Sequence, residues 1–110
     1  MSKFSIKSPD RKIEVHGALS HLMFTPENTP VDGFSACVNV VQSDQYPQPG
    51  IHDDNEGFYV VRGTGWAKVG DEEQPIAEGS CFFAPAGIPH AIRKDSGAPD
   101  LEVFLFHFPK

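Results

Sequence analysis

An all-β domain, a small sandwich or barrel, is the fold class this sequence predicts, and three observations carry the prediction. Apolar runs are short and bounded by Gly or Pro, no segment sustains a helical period, and roughly ten such runs recur about every ten residues. Ten glycines and ten prolines in 110 residues punctuate those runs instead of collecting into a low-complexity tract. A chain of this length builds one core, so residues 1–110 are read as a single domain.

Residues 1–12 show no strong period; Phe4 and Ile6 alternate with polar neighbours, which predicts a peripheral arm or a short edge strand with a frayed end. Ile13-Glu14-Val15-His16 alternates, and the run from Leu19 to Phe24 is stopped by Thr25-Pro26. Both suit strands, since a helix needs about ten residues or more. A loop broken by Pro30 and Gly33 follows, then a β-branched strand from Phe34 to Val41 and a second loop, rich in Pro, Gln and Asp, from Ser43 to Gly50. Phe58-Tyr59-Val60-Val61 is an apolar strand ended by Gly63. Trp66 to Ala77 reads as a hairpin, because glycine beside aspartate in Val69-Gly70-Asp71 favours a tight reversal.

After a polar turn from Lys94 to Pro99 comes the most apolar segment, Leu101 to Phe108. Phe104, Phe106 and Phe108 lie on one face of this strand, and Val103, Leu105 and His107 on the other. A strand apolar on both faces is buried on both, between two sheets or at a subunit contact. A homodimer is expected on that ground.

Fifteen acidic against nine basic residues give a net charge of −6, with the acidic residues spread along the chain. Nucleic acid is therefore not an expected partner, since neutralising phosphates takes a basic face. The first ten residues are polar and no apolar run approaches a membrane span, so a cytoplasmic protein without a membrane partner is expected. Cys37 and Cys81 lie in apolar runs without CxxC spacing and are read as buried thiols.

Two clusters between Gly50 and His90 carry the chemistry. One is Gly50-Ile51-His52-Asp53-Asp54-Asn55-Glu56; the other is Pro85-Ala86-Gly87-Ile88-Pro89-His90. The hairpin between them folds the chain back, so that ligands distant in sequence converge. His52, Glu56 and His90 then offer two imidazoles and one carboxylate, donors that serve Zn, Fe, Mn and Ni alike at about 2.0 to 2.2 Å. If Glu56 faces inward, Phe58 and Val60 share its face and line the site. Pro85, Gly87 and Pro89 shape the turn that presents His90.

Asp54 and Gln48 are open as further ligands, and His107 is a further candidate to point into the barrel. His16 and His21 are read as surface or interface residues, and Tyr59, Trp66, Phe82 and Phe83 as core or sheet-packing residues. Arg62 and Arg93 are read as solvated strand ends, with the anchoring of an anionic substrate as the alternative.

These two clusters resemble the two sequence motifs of the cupin superfamily, small jelly-roll β-barrels. In the first motif, His52 stands on the second His, Glu56 on the Glu, and Gly63 on the closing Gly. In the second, Gly79, Pro85, Gly87 and His90 match position for position. There are three departures: Gly50 stands where the first motif has its first His, Asp44 where it has an earlier Gly, and Lys94 where the second motif has Asn.

The resemblance implies a jelly-roll barrel with one divalent transition metal (Fe, Mn, Ni or Zn) held by His52, Glu56 and His90. It also implies a small polar molecule as ligand or substrate. Cupins of this type include dioxygenases, isomerases, epimerases and decarboxylases, so a small metal-dependent enzyme is the first expectation. The alternatives are a non-catalytic module that binds a small molecule or sugar without metal, and a structural or storage role. Fold alone does not choose among them, and whether the chain is an enzyme stays open at this point.

Overall fold

Nine antiparallel strands among the described residues arrange themselves in two sheets around one apolar core. The computed structural model describes residues 3–15, 17–29 and 31–110. The strands are β1 (Lys12–Val15), β2 (Ala18–Phe24), β3 (Ser35–Val41), β4 (Asn55–Arg62), β5 (Thr64–Val69), β6 (Glu72–Ala77), β7 (Cys81–Ala84), β8 (His90–Lys94) and β9 (Leu101–Phe108). The larger sheet has the order β1-β2-β3-β9-β4-β7 and the smaller one β6-β5-β8. A single 3-10 turn, Pro9–Arg11, is the only helical element among the described residues. This is the all-β jelly-roll architecture expected.

The strand readings are met closely. The Trp66 to Ala77 hairpin is β5 and β6, in register from Val69 opposite Glu72 to Thr64 opposite Ala77, with Gly70 at φ +59° in the turn. Before β1, Phe4 and Ile6 are exposed and form no strand, and Lys7 reaches Glu102 at 3.3 Å. His16, expected near a surface or interface, lies outside the described residues.

Alternation in β4 sets the site. Glu56, Phe58 and Val60 turn inward and are 5%, 2% and 0% exposed, while Tyr59, between Phe58 and Val60, and Val61 after them face out. Strand β9 runs antiparallel beside it, with His107 opposite Glu56, Leu105 opposite Phe58 and Val103 opposite Val60. Paired residues of neighbouring strands share a face, so Val103, Leu105 and Leu101 join the core and His107 stands beside Glu56.

Three expectations need correction. Cys81 is exposed because alternation in β7 puts it on the outer face of the sheet, and Cys37 is partly buried, packed against the core and lining the cavity beside it. Tyr59 and Phe83 are 46% and 54% exposed for the same reason, and so are not core residues; Phe82 faces in and stacks on Phe58 at 4.6 Å between ring centroids. The second face of β9 is not fully buried either: Phe104, Phe106 and Phe108 pack along one another on the outside, each partly buried.

Candidate metal centre

The two ligand-bearing clusters are joined through their backbones. Gly50 and His90 form an antiparallel bridge with both hydrogen bonds made, at 2.8 and 3.0 Å. The turn before His90 donates from Gly87 N–H to the His52 carbonyl at 2.8 Å and from Ala86 N–H to the Asn55 side chain at 3.0 Å. Gly87 sits at φ +82°, in the left-handed region that glycine enters without steric cost, and so lets the chain reverse into β8. The rigid turn expected from Pro85, Gly87 and Pro89 is thereby tied to the first cluster.

His52, Glu56 and His90 come together: one donor atom from each lies within 4.8 Å of the others, in a group that can hold a metal ion. His90 Nε2 is 3.0 Å from Glu56 Oε1, and His52 Nε2 is 3.4 Å from the same oxygen. The other ring nitrogen of His90 lies 3.0 Å from the Ile88 carbonyl. A carbonyl only accepts, so His90 carries its hydrogen on Nδ1, and its neutral form turns the bare Nε2 lone pair on a carboxylate oxygen. Two acceptors at that distance repel unless a cation or a proton lies between them. Metal-ligating histidines are oriented in this way, with the second nitrogen donating to a carbonyl or carboxylate. The residues present therefore fit a divalent metal.

The two imidazoles differ in their proton affinity. Burial acts to lower the His90 pKa, but the hydrogen bonds to Glu56 and Ile88 and the Glu56 charge outweigh it and raise the value above 6.5. For His52, burial prevails over the attraction of Glu56, and the neighbouring His107 and His90 add to the lowering.

A cavity of about 260 Å³ opens over this group. Phe58, Leu22 and Leu105 form part of its apolar wall; Ser20, Asn39 and Gln48 add polar groups. Ser20 is 3% exposed, and sequence reasoning passed over it and Asn39. The signal was the alternation within β2 and β3, which turns Ser20 and Leu22, and Cys37, Asn39 and Val41, to one side. Burial raises the Cys37 pKa, keeping it a neutral thiol beside Ser20 and Asn39.

Of the remaining candidates, Gln48 lines the cavity, and Asp54 reaches the site only through His107, whose Nδ1 it meets at 3.1 Å. Arg62 pairs with Glu102, and Arg93 lies over the rings of Tyr46 and Trp66 at 5.3 and 5.8 Å, so neither faces the cavity. Lys94, in place of the motif Asn, donates to the carbonyls of Asp95 and Ala98 and closes the turn that follows β8.

The fold and the paired motifs define a small barrel of the cupin class. The Cupin domain family model matches residues 38–107, and the chain belongs to that family. Among solved structures, a protein of Photorhabdus luminescens matches with a TM-score of 0.81 at 16% identity, over 100% of this chain and 90% of its own. Fe(II)-HppE with an alternative substrate matches with a TM-score of 0.76 at 20% identity, over 94% of this chain and 59% of its own. An oxalate decarboxylase of Bacillus subtilis matches with a TM-score of 0.79 at 16% identity, over 99% of this chain and 30% of its own. No curated protein matches by sequence. No helix among the described residues is long and apolar enough to cross a membrane.

Proposed function

We propose that this chain is a small metal-binding cupin in which His52, Glu56 and His90 hold one divalent transition metal, and that it is an enzyme acting on a small polar molecule. One observation carries the reading: one donor atom from each of the three residues lies within 4.8 Å of the others, and His90, pinned by the Ile88 carbonyl, in its neutral form turns a bare nitrogen on the Glu56 carboxylate at 3.0 Å. Fe, Mn, Ni and Zn all accept this donor set. A dioxygenase, isomerase, epimerase or decarboxylase type of reaction is what the cupin resemblance implies, and fold neighbours that include an Fe(II) protein and an oxalate decarboxylase are in keeping with a metal-dependent one. A metal there would supply Lewis-acid polarisation of a chelating substrate, or activation of dioxygen.

The chain's own residues set what such a site accepts. The cavity is smaller than the roughly 300 Å³ at which typical ligand sites begin, so the substrate has few heavy atoms. Phe58, Leu22 and Leu105 keep bulk water off one side, and Ser20, Asn39 and Gln48 offer hydrogen bonds that orient a polar substrate. The same polar groups, with no side chain at Gly50, favour the second reading, a metal-free module that binds a small molecule or sugar.

Elemental analysis of the protein purified without added metal tests the proposal. Stoichiometric metal is expected in the wild type and a sharp loss in His90→Ala, with the fold intact by circular dichroism; His16→Ala, outside both motifs, should retain the metal. A wild type that carries no metal and takes up none of Zn, Mn, Ni or Fe would sink the metal reading and leave the binding module in its place.

A further inference from the structure

We infer that His107, held by Asp54, is a fourth protein ligand of this centre and supplies from the last strand an imidazole that the first cluster lacks at Gly50. The inference rests on the metal reading above and adds a residue to it. His107 comes to the site by register: it lies opposite Glu56 in the β4-β9 pair, and the alternation that buries Leu101, Val103 and Leu105 brings it to the same side. Its Nδ1 is 3.1 Å from Asp54 Oδ1 and its Nε2 is 3.6 Å from Glu56 Oε2. An ionised carboxylate only accepts, so Asp54 holds the hydrogen on Nδ1 and leaves Nε2 bare toward Glu56.

This repeats the arrangement at His90, with a carboxylate where His90 has a carbonyl. In both rings the outer nitrogen donates to a fixed acceptor and the inner one turns on Glu56. The two rings divide the carboxylate between them, His90 and His52 facing Oε1 and His107 facing Oε2. Neighbouring ligands of one ion with bonds of about 2.0–2.2 Å stand roughly 3 to 3.6 Å apart; the spacing of His107 from Oε2 falls at the edge of that range, and since His107 stands outside the three residues whose donors lie within 4.8 Å of one another, its ring closes inward when the ion binds. The ring also meets His52 edge to face, 5.2 Å between centroids, so the three imidazoles surround one carboxylate. His52 and His107 further line a surface depression with Asp53 and Asp54.

The full chain contains five histidines, few enough to assign each ring by nitrogen-15 NMR. One equivalent of Zn(II) should move Nε2 of His52, His90 and His107 to coordinated shifts while Nδ1 of His107 stays protonated. His107→Ala and Asp54→Asn should each weaken Zn(II) binding in a competition titration, the second by about 10- to 100-fold, as loss of a carboxylate behind a ligating histidine does. If His52 and His90 shift but His107 does not, and His107→Ala binds Zn(II) within about twofold of wild type, a difference of about 0.4 kcal/mol, His107 is a bystander and the three-residue centre stands without it. If no ring responds to Zn(II), the metal reading fails and takes this one with it. The NMR result on the wild type decides the matter even if a variant does not fold.

Discussion

Gly50 and His90 are hydrogen-bonded partners across the mouth of the site, and the missing side chain of Gly50 faces the donors: a Cβ placed there would lie 3.4 Å from His90 Nε2 and 3.3 Å from His52 Nε2. Gly50 is outside the left-handed region, so its backbone accepts any residue. Glycine here is therefore a matter of space at the site and not of chain conformation. Gly50→Ala should weaken Zn(II) binding, because the methyl group is tighter against both nitrogens than ordinary contact. Gly50→His should strengthen it by about tenfold or more, equivalent to about 1.4 kcal/mol, by adding a donor on the correct face. Equal affinities in a competition titration for wild type and both variants would show that this face takes no part in binding.

Without metal, the opposed shifts of His90 and His52 set a pH optimum of stability. The raised His90 value means the native state holds a proton above pH 6.5 that the unfolded chain has lost, so this contribution is full below about 6.5 and is lost as pH rises through the folded value. The lowered His52 value means the unfolded chain takes up a proton first as pH falls below about 6.5, so stability declines on that side too. Urea midpoints of chelator-treated protein should peak near pH 6.5, and His90→Gln should flatten the limb above it. A wild-type profile that rises steadily from pH 6 to 8 would contradict this assignment.

The strands were legible because their signals are local. Gly and Pro mark the ends of runs, and Gly70-Asp71 sets a two-residue reversal. The convergence of His52, Glu56 and His90 was legible through motif spacing, and the inward set Glu56, Phe58 and Val60 through alternation. Sequence did not reveal which face of a two-sided apolar strand looks inward. Tyr59, Phe83 and Cys81 are as apolar as their inward neighbours, and only the pairing of β4 with β7 and β9 assigns them to the outside. Ser20 was passed over, and His107 was only one candidate among several, for a related reason: each lies more than thirty positions from Glu56, and although alternation assigns each to one side of its strand, only sheet pairing decides which side meets the site.

That outer face predicts assembly. Tyr59 and Phe83 are about half-exposed, and Phe104, Phe106 and Phe108 line the neighbouring strand, with Phe106 lying over Gly57. A patch of this kind on a small domain is an interaction surface, and a two-fold dimer is the commonest way to cover it. Sedimentation at tens of micromolar should give a dimer, and Tyr59→Glu should dissociate it without changing the circular dichroism spectrum. A strictly monomeric wild type would mean that the patch stays open to solvent.

Inside the same strand the prediction concerns stability. Leu101 is 0% exposed at the start of β9, within the apolar core cluster. Leu101→Ala should cost about 2–5 kcal/mol, read from urea denaturation, whereas Lys7→Ala, which breaks a surface pair with Glu102, should cost about 1 kcal/mol or less. Comparable losses for the two would mean the core is not where the burial puts it.

Glu56 allows metal binding to be separated from folding. It is buried and faces three imidazoles, and Glu56→Gln keeps its shape while removing its charge. A glutamine N–H can donate to the bare Nε2 of His90, so the variant without metal should fold with stability close to that of wild type. It should not bind metal, because a neutral amide is a far weaker ligand than a carboxylate. Free Zn(II) at a hundred times its Kd should stabilise the wild type by about 2.7 kcal/mol. At about 4–8 °C per kcal/mol for a chain near this size, that is a rise in Tm of roughly ten degrees or more. Differential scanning calorimetry with and without Zn(II) should show the rise in wild type and none in Glu56→Gln. An equal rise in both would place the metal away from Glu56, and an equal absence in both would leave Glu56 a hydrogen-bonding group for a polar ligand.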